Sequence, residues 1–181
     1  MRLYHGTTYD EWQKISQGID VKINMDSEKE LDFGYGFYMS TRPWYAKKVA
    51  KDKASIKKSL EEYDEPNSHP VLIICDIDIQ KILNETNADI LYFRFKSLTF
   101  LHTVFNARYQ TAAVDTIHKD IVFGPLADGN VDTVISWYKQ KESIFRKLVC
   151  YIRFLLPVFT RQYVIKNQDL CQYIKLDYKL L

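Results

Sequence analysis

The sequence predicts an α+β fold in a single domain, and three observations support this prediction. The chain has 181 residues, the length of one ordinary domain with a sizeable core. Its composition is globular, with 46% hydrophobic and 27% charged residues. Short strand patterns alternate irregularly with helix patterns, without the regular βαβ rhythm of a doubly wound sheet. Because no repeat or low-complexity linker divides the chain, we treat residues 1–181 as one domain.

The strands are predicted from short apolar or β-branched runs that are bounded by turn residues. Two glycines, Gly34 and Gly36, lead into the third of them, and Gly124 with Pro125 closes the sixth. In chain order, we expect strands at Arg2–His5, Val21–Ile23, the end of Asp32–Met39, Val71–Ile79, Asp89–Phe95, Asp120–Phe123, Gln162–Ile165 and Ile174–Lys179.

Capping signals and apolar periodicity predict the helices. Thr8 and Glu11 have the spacing of a capping box that opens the first helix, and Gly18 is placed as its left-handed C-cap. Thr41 is predicted to cap a second helix that continues to Tyr63, with proline tolerated in its first turn. Further helical segments are expected at Ser97–Asn106, Val131–Lys141, Ser143–Leu155 and, as a single turn, Asn167–Tyr173.

Charge and cysteine content limit the function classes. The net charge of +2 favours neither nucleic acid nor membrane, and the six lysines between Lys47 and Lys58 are interpreted as a solvated helix face. The three cysteines are widely spaced and form neither a zinc pattern nor a disulfide framework. The N-terminus lacks the apolar run of a signal peptide, and the apolar stretch 148–159 is too short to span a bilayer. We therefore expect a reduced, cytoplasmic protein without a membrane partner.

Three segments together indicate a functional site, although no phosphate-binding loop, Rossmann glycine motif or nucleophile elbow is present. They read Leu3-Tyr-His-Gly-Thr7, Gly34-Tyr-Gly-Phe-Tyr-Met-Ser40 and Gln162-Tyr-Val-Ile165. In this order they resemble the ADP-ribosyltransferase superfamily of the diphtheria-toxin and poly-ADP-ribose-polymerase type. Its fingerprint is His-Gly-Thr/Ser on the first strand, Gly-x-Gly-φ-Tyr later, and a Glu that opens a late strand.

More closely, the chain resembles an uncharacterised bacterial family that is catalogued only as a domain of unknown function. That family begins with Tyr-His-Gly-Ser/Thr and continues with an Asp-Phe-Gly-x-Gly-Phe-Tyr block. A helix with alanine positions, a Phe-Val-x-x-Asn-Arg segment and an Asp-φ-φ-φ-Gly-Pro-φ-Ala-Asp block follow. The corresponding segments here are 32–40, 46–50, 103–108 and 120–128, so the resemblance covers nearly the whole chain in order.

The resemblance implies two mainly antiparallel sheets around a cleft that holds NAD, with flanking helices, and it assigns roles to residues. His5 is expected to hydrogen-bond a ribose hydroxyl of NAD, as donor or acceptor. Gly6 is expected to bring its backbone against the nicotinamide amide, an approach that a Cβ would obstruct, and Thr7 belongs to the same binding motif. Tyr38 is expected to stack on the nicotinamide ring, while Gly36 lets the loop pass the cofactor closely.

Farther along the chain, two residues are candidates for the pyrophosphate of NAD. Asn106 and Arg108 could both contact it, Arg108 through a bidentate pair, although a structural salt bridge explains Arg108 equally well. The resemblance calls for no metal ion.

The chain departs from the superfamily at Gln162, which stands where catalytic members have Glu. A carboxylate there stabilises the cation that forms as nicotinamide leaves, whereas a neutral amide can only orient the ribose 2′-hydroxyl. Three alternatives stay open: a slow transferase helped by the acceptor's own nucleophile, a second acid such as Asp128 or Asp120, or binding of NAD or ADP-ribose without catalysis.

The resemblance implies mono-ADP-ribosyl transfer from NAD to a macromolecule, with inversion at C1′ and release of nicotinamide. The acceptor could be protein or nucleic acid. By analogy of fold, such a protein could be a toxin with an antitoxin partner, or an effector. The alternatives from other classes are a catalytically silent NAD- or ADP-ribose-binding module and an interaction protein with a vestigial cleft.

Overall fold

A computed structural model of the chain describes residues 1–23, 31–59, 65–109, 117–127 and 160–181. Several sequence predictions fall outside these ranges. They are the end of the second helix near Tyr63, the alternative acid Asp128, and the helices Val131–Lys141 and Ser143–Leu155.

The described residues form an α+β structure, as predicted. The strands are β1 (Arg2–Thr8), β2 (Phe37–Ser40), β3 (Pro70–Ile77), β4 (Ile90–Tyr92), β5 (Ile121–Pro125), β6 (Arg161–Ile165) and β7 (Ile174–Leu180). The helices are α1 (Tyr9–Gln17), α2 (Pro43–Ser59), α3 (Ile79–Glu85) and α4 (Leu98–Tyr109), and 3₁₀ turns cover Glu65–Ser68 and Gln168–Tyr173.

These strands form one mixed sheet in the order β4-β5-β6-β2-β1-β3-β7. β4 and β5 run parallel, whereas every other neighbouring pair is antiparallel. The expectation of two separate sheets is therefore wrong for the described strands, while their mainly antiparallel character is confirmed. The strands β4-β5-β6-β2 and the strands β1-β3-β7 form one continuous sheet because Tyr4 of β1 pairs with Ser40 of β2.

The pairing between strands β1 and β2 is short. Its paired register consists of Tyr4 opposite Ser40, whereas β1 and β3 are paired along the whole length of β1. Beside that pair, Nδ1 of His5 lies 2.6 Å from the carbonyl oxygen of Tyr38, so a side chain bridges the two strands there. We call the place formed by Tyr4, His5, Tyr38 and Ser40 the β1–β2 junction.

Each face of the sheet buries its own hydrophobic cluster, because side chains alternate between the faces along a strand. One cluster includes Leu3, Phe37 and Ile73, and α1 packs against it through Trp12 and Ile15. The opposite cluster is built on Phe33, Phe93, Phe100, Val104, Val122 and Val164, so that α4 covers the half of the sheet that contains β5 and β6.

Helix α2 lies against β1 through a row of buried small residues, Ala46, Ala50 and Ala54. A Cβ added to Gly6 would lie only 1.9 Å from the backbone oxygen of Ala46 and 2.9 Å from the backbone nitrogen of Ala50. Packing of α2 on β1 therefore requires that residue 6 has no side chain. This requirement holds whether or not the backbone of Gly6 also contacts a ligand.

The start of α1 differs from its predicted capping box. Thr8 is the N-cap residue but makes no side-chain cap bond, and its hydroxyl donates to Asp10. Glu11 instead accepts from Thr7 and, at 2.8 Å, from Lys53 of α2. The reason is electrostatic, because a lysine ammonium offers the carboxylate a stronger partner than a backbone N–H.

These contacts belong to a compact group of charges between α1 and α2. Lys57 donates to Asp10 at 2.7 Å and lies 3.7 Å from Glu11. Loss of hydration alone would raise the pKa of Glu11, but the charge and hydrogen bond of Lys53 outweigh it and lower that pKa to about 2. Two of the predicted solvated lysines are thus engaged in ion pairs that tie the helices together.

Other local predictions are also corrected. Gly18 has φ 161°, which is extended rather than left-handed backbone, and residues 21–23 form a turn instead of a strand. Thr41 does not cap α2, because its hydroxyl bonds to the backbone of Arg161. Helix α3 was not predicted, although Asp78 caps it by accepting a hydrogen bond from the Lys81 backbone N–H. Within the described ranges, no helix is long and apolar enough to cross a membrane.

Candidate functional site

His5 occupies the β1–β2 junction as a neutral imidazole. Loss of hydration, followed by repulsion from Lys53, lowers its pKa to about 4. Because the carbonyl of Tyr38 can only accept, Nδ1 of His5 carries the proton and donates to it. Nε2 is then left with a lone pair, so the ring can accept a hydrogen bond from a ligand hydroxyl at neutral pH. The ring also stacks on Phe37 at 4.8 Å between centroids.

Tyr38 is anchored to the glycine turn that precedes β2. Its hydroxyl donates to the carbonyl of Gly34 at 2.7 Å and accepts from the backbone N–H of Phe33 at 3.0 Å. Gly34 has φ 73° and Gly36 has φ 146°, conformations that favour glycine. A Cβ on Gly36 would lie 2.5 Å from a methyl group of Val164, so this glycine also lets the turn pack on β6.

Replacing Tyr38 by Phe is therefore expected to cost stability, and not only to test ring stacking. The variant loses a hydroxyl that bridges two backbone groups, each bond being worth about 1 kcal/mol, so we expect a loss of roughly 1–3 kcal/mol in unfolding free energy. Urea unfolding of Tyr38→Phe beside Tyr178→Phe, whose tyrosine is exposed in β7, measures the difference. Equal stability of the two variants would contradict the structural role of the Tyr38 hydroxyl.

A buried polar cluster lies on the α4 side of the sheet and is centred on Asp32. One carboxylate oxygen accepts from Arg108 through Nε at 3.1 Å and Nη2 at 2.5 Å. The other accepts from the backbone N–H of Ala127 at 3.0 Å and from Nε2 of Gln162 at 2.6 Å. Burial raises the pKa of Asp32, and these partners oppose that shift. Since all four contacts come from N–H donors, they suit the carboxylate rather than the acid.

Gln162 lies on β6 and is almost wholly buried. It pairs with Gly124 of β5 on one side and with Ser40 of β2 on the other, so it lies on the strand next to the β1–β2 junction. Its Nε2 is bound to Asp32, whereas its Oε1 accepts no hydrogen bond from the described residues. Tyr38 and Gln162 face α4 because Tyr38 pairs with Val164, two residues from Gln162, while the ring of His5 packs on the opposite cluster.

The other predicted site residues are distributed as follows. Arg108 is turned inward and binds Asp32 and the carbonyl of Ala127, which is the salt-bridge alternative that the sequence left open. Asn106 contacts His102 on the surface of α4. Thr7 is buried and donates to Glu11, next to α1 rather than to β2. These side chains do not converge with His5 and Gln162 on one pocket in the described residues.

The alternative acid Asp120 lies at the far end of β5. Its carboxylate accepts from the backbone N–H of Asp89 at 2.7 Å and from the side chain of Asn167 at 2.9 Å. Gln162 pairs instead with Gly124, near the other end of that strand. Asp120 therefore anchors this end of β5 and does not contact Gln162.

The acid that does contact Gln162 is Asp32, for which the sequence predicted no role in the site. Two features of the sequence could have indicated such a role. Asp32 stands at the start of the Asp-Phe-Gly-x-Gly-Phe-Tyr block, and a later block contains an arginine, Arg108, that can pair with it. Its partners come from α4, the end of β5 and β6, so the cluster exists only after folding. Among the described residues, no group of His, Cys, Asp or Glu has the arrangement of a metal site.

The model of a family described as protein of unknown function (DUF3990) matches residues 1–176. No curated protein matches the chain, and no solved structure matches it.

Proposed function

The chain belongs to the family described as protein of unknown function (DUF3990), and from its own residues we propose that it is a mono-ADP-ribosyltransferase. In the proposed reaction, the bond between nicotinamide and ribose C1′ of NAD breaks, and its electron pair leaves on nicotinamide. A nucleophile of a macromolecular acceptor forms the new bond to C1′ with inversion and loses its proton to solvent. We also propose that the sheet is related to that of the ADP-ribosyltransferases and that NAD binds at the β1–β2 junction.

The observation that carries this proposal is the adjacency of the three motif segments. They lie far apart in the chain, yet they fall on three neighbouring strands, β1, β2 and β6, in the centre of the sheet. The paired register of β1 with β2 is confined to Tyr4 and Ser40. We propose that a ligand bound beside that pair meets side chains from both faces of the sheet, so that His5 and Gln162 both belong to the proposed site despite their opposite faces.

The protonation state of His5 supports a specific contact. A neutral ring whose Nδ1–H is committed to Tyr38 offers Nε2 as an acceptor. A ribose hydroxyl is a suitable donor to it. We therefore propose that His5 accepts from ribose, which selects one of the two possibilities that the sequence left open.

A second candidate function is binding of NAD or ADP-ribose without catalysis. The observation that favours it is Gln162, since its amide carries no charge to oppose the cation that develops at ribose C1′. Binding and catalysis make different predictions for the same two measurements, which are NAD affinity and nicotinamide release.

Calorimetry with NAD and an assay of nicotinamide release test both candidates. The variant His5→Asn places an amide N–H near Nδ1, so it keeps the bond to Tyr38 and loses the Nε2 acceptor. Because one hydrogen bond contributes about 0.5–1.5 kcal/mol, we expect a roughly 3- to 10-fold weaker affinity for NAD. His69→Asn is the matched control on the surface and should bind NAD like the wild type.

The outcomes separate the candidates. NAD binding with nicotinamide release that depends on His5 supports the transferase. NAD binding without release, for every protein and nucleic-acid acceptor tried, supports the binding module. A folded wild-type protein that does not bind NAD would reject both.

A further inference from the structure

We propose that Asp32 is a positioning residue that acts through Gln162, holding its side-chain amide so that Oε1 is offered to a ligand hydroxyl. This inference rests on the proposed function, because the hydroxyl in question is the ribose 2′-hydroxyl of NAD. It explains how a site with Gln in place of Glu retains a negative charge. That charge is the carboxylate of Asp32, which contacts the ligand only through Gln162.

The contacts determine which way the amide is turned. A carboxylate can only accept hydrogen bonds, so the Gln162 atom 2.6 Å from Asp32 is the NH₂ group and not the carbonyl oxygen. The carboxylate is itself held by the guanidinium of Arg108 and the backbone N–H of Ala127, on elements far from Gln162 in the chain. The alternative orientation of the amide would bring two oxygens together, and it is therefore excluded.

The same contact polarises the amide. A short hydrogen bond to a buried charged acceptor draws electron density from N–H toward the carbonyl oxygen, which makes Oε1 a better acceptor. A Glu at this position would instead bring two carboxylates together in a buried place, where both cannot ionise. Gln162 and Asp32 thus form a matched pair, in which the amide and the carboxylate together do what one carboxylate does elsewhere.

Exchange of the two groups tests this inference. We compare Asp32→Asn, Gln162→Glu and the double variant Asp32→Asn/Gln162→Glu, which again pairs one amide with one carboxylate. Each single variant is expected to lose about 10-fold in kcat for nicotinamide release, with KM for NAD changed by less than about 3-fold. The double variant is expected to return to within about 3-fold of the wild-type kcat. Asp76→Asn, which breaks an exposed Arg–Asp pair, is the matched control.

A second readout does not depend on NAD. In NMR spectra, the side-chain amide protons of Gln162 should be shifted downfield by their bond to Asp32, and Asp32→Asn should remove that shift. An amide signal that is unaffected by Asp32→Asn would overturn the inference even if NAD is cleaved. Conversely, the shift can be present in a protein that does not bind NAD, which would reject the proposed function and leave the orientation of the amide established.

Two further results would overturn the inference. One is a folded double variant that is as slow as the slower single variant. The other comes from Gln162→Met, which keeps the volume of the side chain without its amide and serves if Asp32→Asn does not fold. A wild-type kcat in Gln162→Met would show that Oε1 takes no part, whereas a loss of about 10-fold supports the inference.

Discussion

Gly6→Ala is expected to lower the unfolding free energy by about 3 kcal/mol or more, because the added methyl group meets backbone and not a movable side chain. The Cβ would lie 1.9 Å from the carbonyl oxygen of Ala46 in α2. Relief requires that the helix move away from β1, which would open the row of buried alanines behind it. Since small domains are stable by about 5–15 kcal/mol, this single methyl group should remove a large part of the total.

Gly18→Ala is the matched control for this prediction. A Cβ at Gly18 has no neighbour within 4 Å in the described chain, and its φ of 161° is extended backbone that any residue adopts. We expect its unfolding free energy to stay within about 0.5 kcal/mol of the wild type. Similar urea midpoints for the two alanine variants would contradict the packing of α2 on Gly6. A Gly6 variant is also unsuitable as a test of NAD contact, since a loss of binding would follow from the loss of the fold.

Arg108→Met is expected to cost about 3–5 kcal/mol in unfolding free energy, because it leaves the buried carboxylate of Asp32 without its cation. The side chains of this pair are 9% and 8% exposed, whereas those of Arg2 and Asp76 are 62% and 45% exposed. Arg2→Met therefore serves as a matched control, with an expected cost of about 0–1 kcal/mol. Denaturant unfolding of both variants at neutral pH measures the contrast.

The cost of Arg108→Met should depend on pH in a definite direction. Burial already raises the pKa of Asp32, and removal of Arg108 raises it further. A carboxyl group whose pKa is raised in the folded state lowers the unfolding free energy at a pH above that pKa, where the group is ionised. At low pH the group is protonated in both states, and this cost disappears. The difference between Arg108→Met and wild type should therefore shrink as pH is lowered toward about 4. A difference that grows on acidification, or equal losses in the two arginine variants, would contradict the assignment.

Predicted and observed elements agree best where the signal is local. The strand at Gln162–Ile165 and the terminal strand at Ile174–Lys179 match β6 and β7 to within a residue, since alternation and flanking turn residues are written in a few neighbouring positions. Predictions that depended on a choice of partner did less well. Thr8 and Glu11 have the spacing of a capping box, yet the lysines of α2 compete for the carboxylates and prevail.

The candidate site shows the same division. The motif segments could be found from the sequence by resemblance, whereas the position of their strands, adjacent in the centre of one sheet, came from the structure. The state of His5 could not be found in this way, because its pKa and its proton position follow from burial and from the carbonyl of Tyr38. The alternative acid Asp120 was chosen from its motif, but strand register separates it from Gln162.

By itself the sequence determined that the fold is α+β, where most of the described strands and helices lie, and where the glycine turn leads into β2, because periodicity, turn residues and backbone restrictions act over a few residues. Only the tertiary structure decided that β1 and β2 join into one sheet, that Gly6 faces α2, and that Gln162 meets Asp32. The last two residues are 130 positions apart in the chain. Such contacts depend on strand register and on the closure of long loops, which no local pattern encodes, and it is they that give Gln162 a charged partner.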